Sequence, residues 1–400
     1  MLWILLHDDL PVFGGGHVAR EVYGLYFRWY GVLTHGAFPA HDPLWQYPPG
    51  AGLVLLAPGL LPGLTYFQAF VVLALAADAA VTVALARTGS RPGRSRHGAV
   101  YWICCLPLLL HLPFTRYDVQ VTAFAVLSLL VLARSPRASG VFAALGSLIK
   151  VWPVLVLLGL ERGRTTRRAW TWAALTGTVS FAVLALSFSH PLSFVLQQGG
   201  RGVQIESFGG TVLSLARHAG WHGGVRYQFG AMEFTGRYVG AVAGVSLVLT
   251  GVAFGVLLLW RLRARRWTAA TPYDAALTAV LLFTVTSRVI SPQYMIWLLG
   301  LAAVCLTSRH TALRPVTALI AAATAVSTVI YPVLYRDVIV CDWTGSTLIL
   351  LRNGLLGVAA VLSFTRLWRS TRPAPPLPRS VPGTRPPVPA VPAARSGPVA

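Results

Sequence analysis

The residues of this sequence that could do chemistry lie in short polar stretches between long apolar ones. The densest stretch, 21–47, holds Glu21 and Asp42 with Tyr23, Tyr26, Trp29, Tyr30, Trp45, Gln46 and Tyr47. Others carry Arg116 and Asp118; Gln197, Gln198, Arg201, Gln204, Glu206, Trp221 and Tyr227; and Arg288, Gln293 and Tyr294. Flat aromatic faces beside amides and carboxylates suit a sugar or a lipid headgroup, because rings cover apolar surface while polar groups fix hydroxyls. A carboxylate in that company, such as Glu21, Asp42 or Asp118, can take a proton from a hydroxyl within hydrogen-bond reach. Guanidinium groups of the kind at Arg116, Arg201 and Arg288 match the geometry of a phosphate. A metal is not expected. His218 and His222 have the spacing of ligands on a helix, but Gly220, Gly223 and Gly224 oppose a helix there. Cys104, Cys105, Cys305 and Cys341 show neither ligand spacing nor a disulfide frame.

The elements that must position these groups follow from composition. With 400 residues, 55% hydrophobic, 11% charged and a mean hydropathy of +0.63, the chain has too few charges to cover a soluble globule. It is expected to be an all-α, polytopic integral membrane protein, a bundle of about ten to thirteen helices including short re-entrant ones. The net charge of +21 does not point to nucleic acid, since the basic residues, all arginine except Lys150, come in short bursts between apolar segments rather than on one charged face.

Apolar stretches of spanning or near-spanning length fall near 66–86, 99–113, 119–133, 169–187, 239–260, 273–287, 294–307, 315–335 and 345–365. Cytoplasmic loops near membrane ends are enriched in Lys and Arg. Placing the arginine bursts at 87–96, 134–137, 162–168, 261–266, 309–314 and from 366 onward inside leaves 8–50, 114–118, 188–238, 288–293 and 336–344 outside. Two segments do not fit as spans. The stretch 138–160 is flanked by arginine on both sides and predicts a re-entrant hairpin turning near Lys150 and Pro153, and 51–64 predicts another half-helix. Lys150 lies within an apolar segment, where a charge costs about 3 kcal/mol at the membrane centre. It is expected to meet Asp78 or Asp118, or to reach a bound phosphate. Of the twelve acids, nine fall on the outside in this scheme. Residues 1–373 form the membrane domain, whose first helix is expected to be truncated or natively short, and the Pro-rich stretch 374–400 reads as a disordered cytoplasmic tail.

Several motifs, in order, resemble glycosyltransferase family 87. They are Glu-Val-Tyr-Gly-Leu-Tyr-Phe-Arg-Trp-Tyr from Glu21, then Trp45-Gln46-Tyr47-Pro48-Pro49, Arg116-Tyr117-Asp118, Lys150-Val151-Trp152-Pro153, Arg201-Gly202-Val203-Gln204-Ile205-Glu206-Ser207, Ser291-Pro292-Gln293-Tyr294 and Arg352-Asn353. The resemblance covers nearly everything except the tail. It implies a GT-C-like membrane glycosyltransferase of actinobacterial type, moving a sugar such as mannose from a polyprenyl-phosphate donor to a glycolipid or glycan acceptor at the extracytoplasmic face of the plasma membrane. No cofactor is implied beyond that lipid-linked donor. The family's catalytic carboxylate, commonly an aspartate, lies in the first outside loop. Glu21 stands at that position here, with Asp8, Asp9 and Asp42 as alternatives. Tyr26, Trp29, Trp45, Gln46, Tyr47, Arg116, Lys150, Arg201, Gln204, Glu206, Arg288, Gln293 and Tyr294 are then the expected substrate-binding residues. A lipid or solute transporter, or an inactive family member acting as a scaffold, are the competing readings. Against the transporter stands the absence of any evident internal repeat.

Overall fold

In a computed structural model of the protein, residues 1–7, 17–198 and 200–372 are described. Among the described residues the elements are helices, joined by loops, apart from one small sheet. Five helices among the described residues are long and apolar enough to cross a membrane: Tyr66–Gly89, Arg164–Ser187, Val239–Arg263, Arg314–Val333 and Trp343–Ser370. Shorter apolar helices, among them His97–Leu109, Asp118–Val131 and Tyr294–Leu306, pack between them. The chain is therefore a polytopic membrane protein, as its composition predicts.

Burial separates the centre of the bundle from its periphery. Every residue from Met295 to Cys305 is buried, so the helix Tyr294–Leu306 is apolar all round and sits at the core. By contrast, 17% of the apolar window of Arg164–Ser187 and 22% of that of Val239–Arg263 is buried, which leaves their Leu and Val side chains to lipid. Local signals set the helix ends. Thr65 and Gln68 form a reciprocal capping box at the start of Tyr66–Gly89, and Asp342 caps Trp343–Ser370 through the Gly345 amide at 2.7 Å.

The stretch 138–160 forms the expected hairpin. Ser135 caps the helix Pro136–Ile149, Lys150 takes an extended conformation that ends it, and a tighter helix, Trp152–Gly159, runs back. A Cβ on Gly146 would lie 3.0 Å from Pro153, and one on Gly140 would lie 2.1 Å from the Ala169 carbonyl oxygen. The hairpin thus closes on itself, and its base lies against the start of the helix Arg164–Ser187. The segment 51–64 is likewise a half-helix, Gly50–Leu56 followed by the single turn Ala57–Leu60.

The arginine bursts gather at one end of the bundle. The Ser95 amide donates to the Thr307 carbonyl at 3.0 Å, Arg309 Nε to the Arg94 carbonyl at 3.1 Å, Arg366 to the Ala312 carbonyl at 3.2 Å, and Arg261 to the carbonyls of Leu158 and Leu160. At the opposite end lies one small sheet, a minor element in a fold that is otherwise helical as expected. It has the order β1-β3-β2, with β1 Val203–Gln204, β2 Gly224–Gln228 and β3 Ala231–Thr235 all antiparallel. Phe229 and Gly230 both have positive φ and make the two-residue turn between β2 and β3. Val203, Ile205 and Phe234 pack with Ile330, Val338 and Ile349, which fixes the sheet to the last helices.

Candidate functional site

A cavity of about 1100 Å³ opens at the end of the bundle opposite the arginine bursts. Its walls come from the segment 20–28, the loop 44–48, the tip of the 136–159 hairpin, the segment 201–206, the β2–β3 turn, residues 287–297, and Tyr331 and Tyr335. Of the expected site residues, Glu21, Gln46, Tyr47, Arg116, Lys150, Arg201, Gln204, Glu206, Arg288, Gln293 and Tyr294 all line it. The stretches that carry these residues in the sequence therefore meet, although Glu21 and Tyr294 are 273 residues apart.

Glu21 opens a widened helical turn, Glu21–Tyr26, a distortion that recurs at functional sites. Arg116 Nη2 lies 2.5 Å from Glu21 Oε2. The other guanidinium nitrogen of Arg116 donates to the Val18 carbonyl at 3.0 Å and the Thr115 carbonyl at 2.8 Å. Because backbone holds the guanidinium, the guanidinium holds the carboxylate. The Arg116 side chain is 7% exposed and that of Glu21 is 26% exposed, so the carboxylate keeps a free edge toward the cavity.

Lys150 meets Asp118 and not Asp78. Its Nζ lies 2.7 Å from Asp118 Oδ1, which also accepts from Trp297 Nε1 at 2.6 Å. The ammonium lies 4.8 Å from the ring centre of Tyr117, 5.4 Å from that of Trp297 and 5.7 Å from that of Tyr47, a cage of negative ring faces. Trp297 stacks between Tyr294, at 3.9 Å, and Trp152, at 5.1 Å. Asp78 instead accepts from Trp102 at 2.7 Å, away from this site.

A third wall is built on β1 and β3. Buried Glu233 accepts from Arg201 Nε at 3.1 Å and from the Gly202 amide at 3.0 Å, and Arg288 Nη1 donates to the Arg201 carbonyl at 2.8 Å. Burial and the charge of Arg201 both push the Arg288 guanidinium below its ordinary value, as expected when two cations share a wall. Gln204 bridges the segments, accepting from the Ile290 amide at 2.8 Å and donating to Glu206 at 3.4 Å. Glu206 has its carbonyl held by Arg352 at 2.7 Å and Asn353 at 3.1 Å. Burial raises its carboxyl to about 7 against the opposing pull of Arg352.

Five expected site residues do not line the cavity. Tyr26, Trp29 and Trp45 are each 1% exposed and pack edge and face with Tyr47, Phe38, Phe70 and Tyr117. They form the floor under the 21–47 segment because large rings gain most by complete burial. Asp42 accepts from Arg28 at 2.7 Å, Trp29 at 2.8 Å and the Leu44 amide at 2.9 Å. It is the turn-forming aspartate that its place before Pro43 predicts. Asp118 lies behind Lys150, 1% exposed. Asp8 and Asp9 lie outside the described residues, as does the tail 374–400.

Cavity-lining residues outside the expected set include Arg20, Arg28, Trp152, Trp297 and Tyr331, and Tyr227, one of the aromatic residues noted in the sequence, lines the cavity as well. Arg20 and Arg28 flank Glu21 by one residue and two helical turns, which was a usable signal. Tyr331 reaches the site only through packing of the last helices, which nothing local encodes.

The model of glycosyltransferase family 87 matches residues 45–292, more than half of the chain, a stretch that includes Arg116, Asp118, Lys150, Arg201, Glu206 and Arg288. Neither a curated protein nor a solved structure matches the chain.

Proposed function

The chain belongs to glycosyltransferase family 87, and from that premise we propose that this membrane glycosyltransferase moves a sugar, mannose in the first instance, from a polyprenyl-phosphate donor to a hydroxyl of a glycolipid or glycan acceptor. The observation that carries the reading is the Glu21–Arg116 pair, at 2.5 Å, in the wall of a cavity that also holds Arg201 and Arg288. Among the described residues, six cationic side chains line this cavity against two carboxylates, Glu21 and Glu206. That balance suits an anionic substrate.

The step needs one base and one anion site. Glu21 takes the proton of the acceptor hydroxyl as its oxygen attacks the anomeric carbon. The bond from that carbon to the phosphate oxygen breaks on the opposite face of the sugar, and the phosphate leaves with the electron pair, which inverts the anomeric centre. Arg201 and Arg288 stabilise the charge that develops on the phosphate. Tyr47 and Tyr294 supply ring faces for the sugar, and Gln46 and Gln293 supply amides for its hydroxyls. Asp118 holds Lys150 in place from behind.

The arginine-rich end is assigned to the cytoplasm by the positive-inside rule, which puts the cavity on the extracytoplasmic face of the plasma membrane. A donor carried on lipid is then required, because nucleotide sugars are confined to the cytoplasm. Membranes carrying the protein, supplied with polyprenyl-phosphate mannose and an acceptor glycolipid, should form product, and nucleotide-linked mannose should not replace the donor. Single cysteines at 92 and 226 in a background without native cysteines test the face: an impermeant reagent added to intact cells should label 226 only. Labelling of 92 alone would reverse the orientation and remove the case for a lipid-carried donor.

A further inference from the structure

At the arginine-rich end a second concavity, of about 700 Å³, lies between the loop joining Tyr66–Gly89 to His97–Cys105 and the loop preceding Arg314–Thr328. Arg91, Arg94, Arg96, Arg309 and Arg314 line it together with His97, and among the described residues no carboxylate does. The two loops are more than 200 residues apart in sequence and are locked to each other. Arg94 and Ser308 form an antiparallel bridge, the Ser95 amide donates to the Thr307 carbonyl at 3.0 Å, and Arg309 Nε donates to the Arg94 carbonyl at 3.1 Å.

Five like charges held around one hollow repel each other unless an anion joins them. Among the described residues none is supplied there. Asp274, on the helix beside Tyr273 over which Arg94 lies at 5.7 Å, is 2% exposed and turned to Thr311 at 2.6 Å and the Ala312 amide at 3.0 Å. Arg309 and Arg314 donate to the carbonyls of Arg94 and Arg309 and Arg96 Nε to Ser90 Oγ at 3.2 Å, neutral acceptors that orient these guanidinium groups without compensating their charge. Position decides what kind of anion fits. The hollow sits where two long apolar helices, Tyr66–Gly89 and Arg314–Val333, end, at the level where a bilayer presents its headgroups.

We propose that this concavity binds the phosphate-bearing headgroup of an anionic membrane phospholipid. The site is separate from the large cavity and does not depend on the glycosyltransferase reading. A basic pocket at the mouth of membrane helices is suited to such headgroups. The locked loops mean that little ordering opposes binding.

The experiment uses the full chain, purified in a neutral detergent, with bound lipid counted by native mass spectrometry as short-chain phosphatidylglycerol, phosphatidylcholine or inorganic phosphate is added. Phosphatidylglycerol should bind preferentially, and each of Arg91→Gln, Arg96→Gln and Arg314→Gln should weaken it about fivefold, given the typical contribution of one arginine near an anionic surface. The three charge-preserving substitutions to Lys, made together, should restore most of the binding, which separates loss of charge from loss of fold. Equal retention of phosphatidylglycerol and phosphatidylcholine would overturn the proposal. So would a triple Gln variant that binds phosphatidylglycerol like the wild type, or inorganic phosphate that competes at the same concentration as the lipid.

Discussion

Lys150 Nζ stands 2.7 Å from Asp118 Oδ1, which ties the tip of the 136–159 hairpin to the first turn of the helix Asp118–Val131. Asp118 is almost fully buried, and Lys150 shows only its end to the cavity. A pair taken this far from water is costly to break from one side only, by about 3–5 kcal/mol, because a lone buried charge remains. Asp118→Asn and Lys150→Met should each lower the melting temperature in detergent sharply. The double substitution should recover part of the loss, and a cycle that shows strict additivity would mean that the two charges do not interact.

Glu206 makes stability depend on pH. Its folded value of about 7 lies above the ordinary 4.5 because burial disfavours the charged form. The group therefore favours the folded state fully below about 4.5, and this contribution is lost as pH rises through about 7. Melting temperature measured from pH 5 to pH 8 should fall more steeply for the wild type than for Glu206→Gln. Parallel curves for the two proteins would remove Glu206 from the account.

The architecture was legible where a single physical rule dominated. Arginine bursts marked one end of the bundle because charge is excluded from lipid, and the hairpin at 138–160 was legible because arginine flanked both sides of an apolar run broken at Lys150 and Pro153. The sequence leaves Lys150 with Asp78, Asp118 or a bound phosphate, and between the two aspartates packing selects Asp118. What the sequence does not carry is direction. Within 21–47, Tyr47 faces the cavity while Trp29 and Trp45 fill the floor. Residue type does not separate them, and spacing fails because Trp45 and Tyr47 lie in an irregular loop with no period while the widened turn Glu21–Tyr26 shifts the period of the helix that carries Trp29. The sheet was missed for a related reason: β1 has two residues and pairs with a strand about thirty positions later, so no local alternation reveals it.

Arg288 offers a cleaner test of the anion site than Arg201, whose removal would leave Glu233 buried without its cation. Arg288→Gln should raise the KM for the polyprenyl-phosphate donor by about tenfold or more, in line with loss of one charge-assisted contact. The KM for the acceptor should change little. A variant with unaltered donor KM would place the phosphate elsewhere in the cavity.

The base itself is tested by comparing two carboxylates that the structure treats differently. Glu21 keeps a free edge toward the cavity beside Arg116, whereas Asp42 already accepts three hydrogen bonds within its own loop. Glu21→Gln keeps the side chain's shape and one acceptor oxygen for Arg116, so the fold should hold while turnover falls by about 10² to 10⁴. Glu21→Asp should retain part of the activity, since a carboxylate remains and the shorter chain only lengthens the reach to the acceptor hydroxyl. Asp42→Asn should act through stability, loosening the 21–47 segment by about 1–3 kcal/mol as a charge-assisted contact is lost, with turnover per folded molecule close to normal. If Glu21→Gln transferred sugar at the wild-type rate while Asp42→Asn did not, the proton would have to leave through the 42–44 turn. The cavity wall at Arg116 would then serve binding alone.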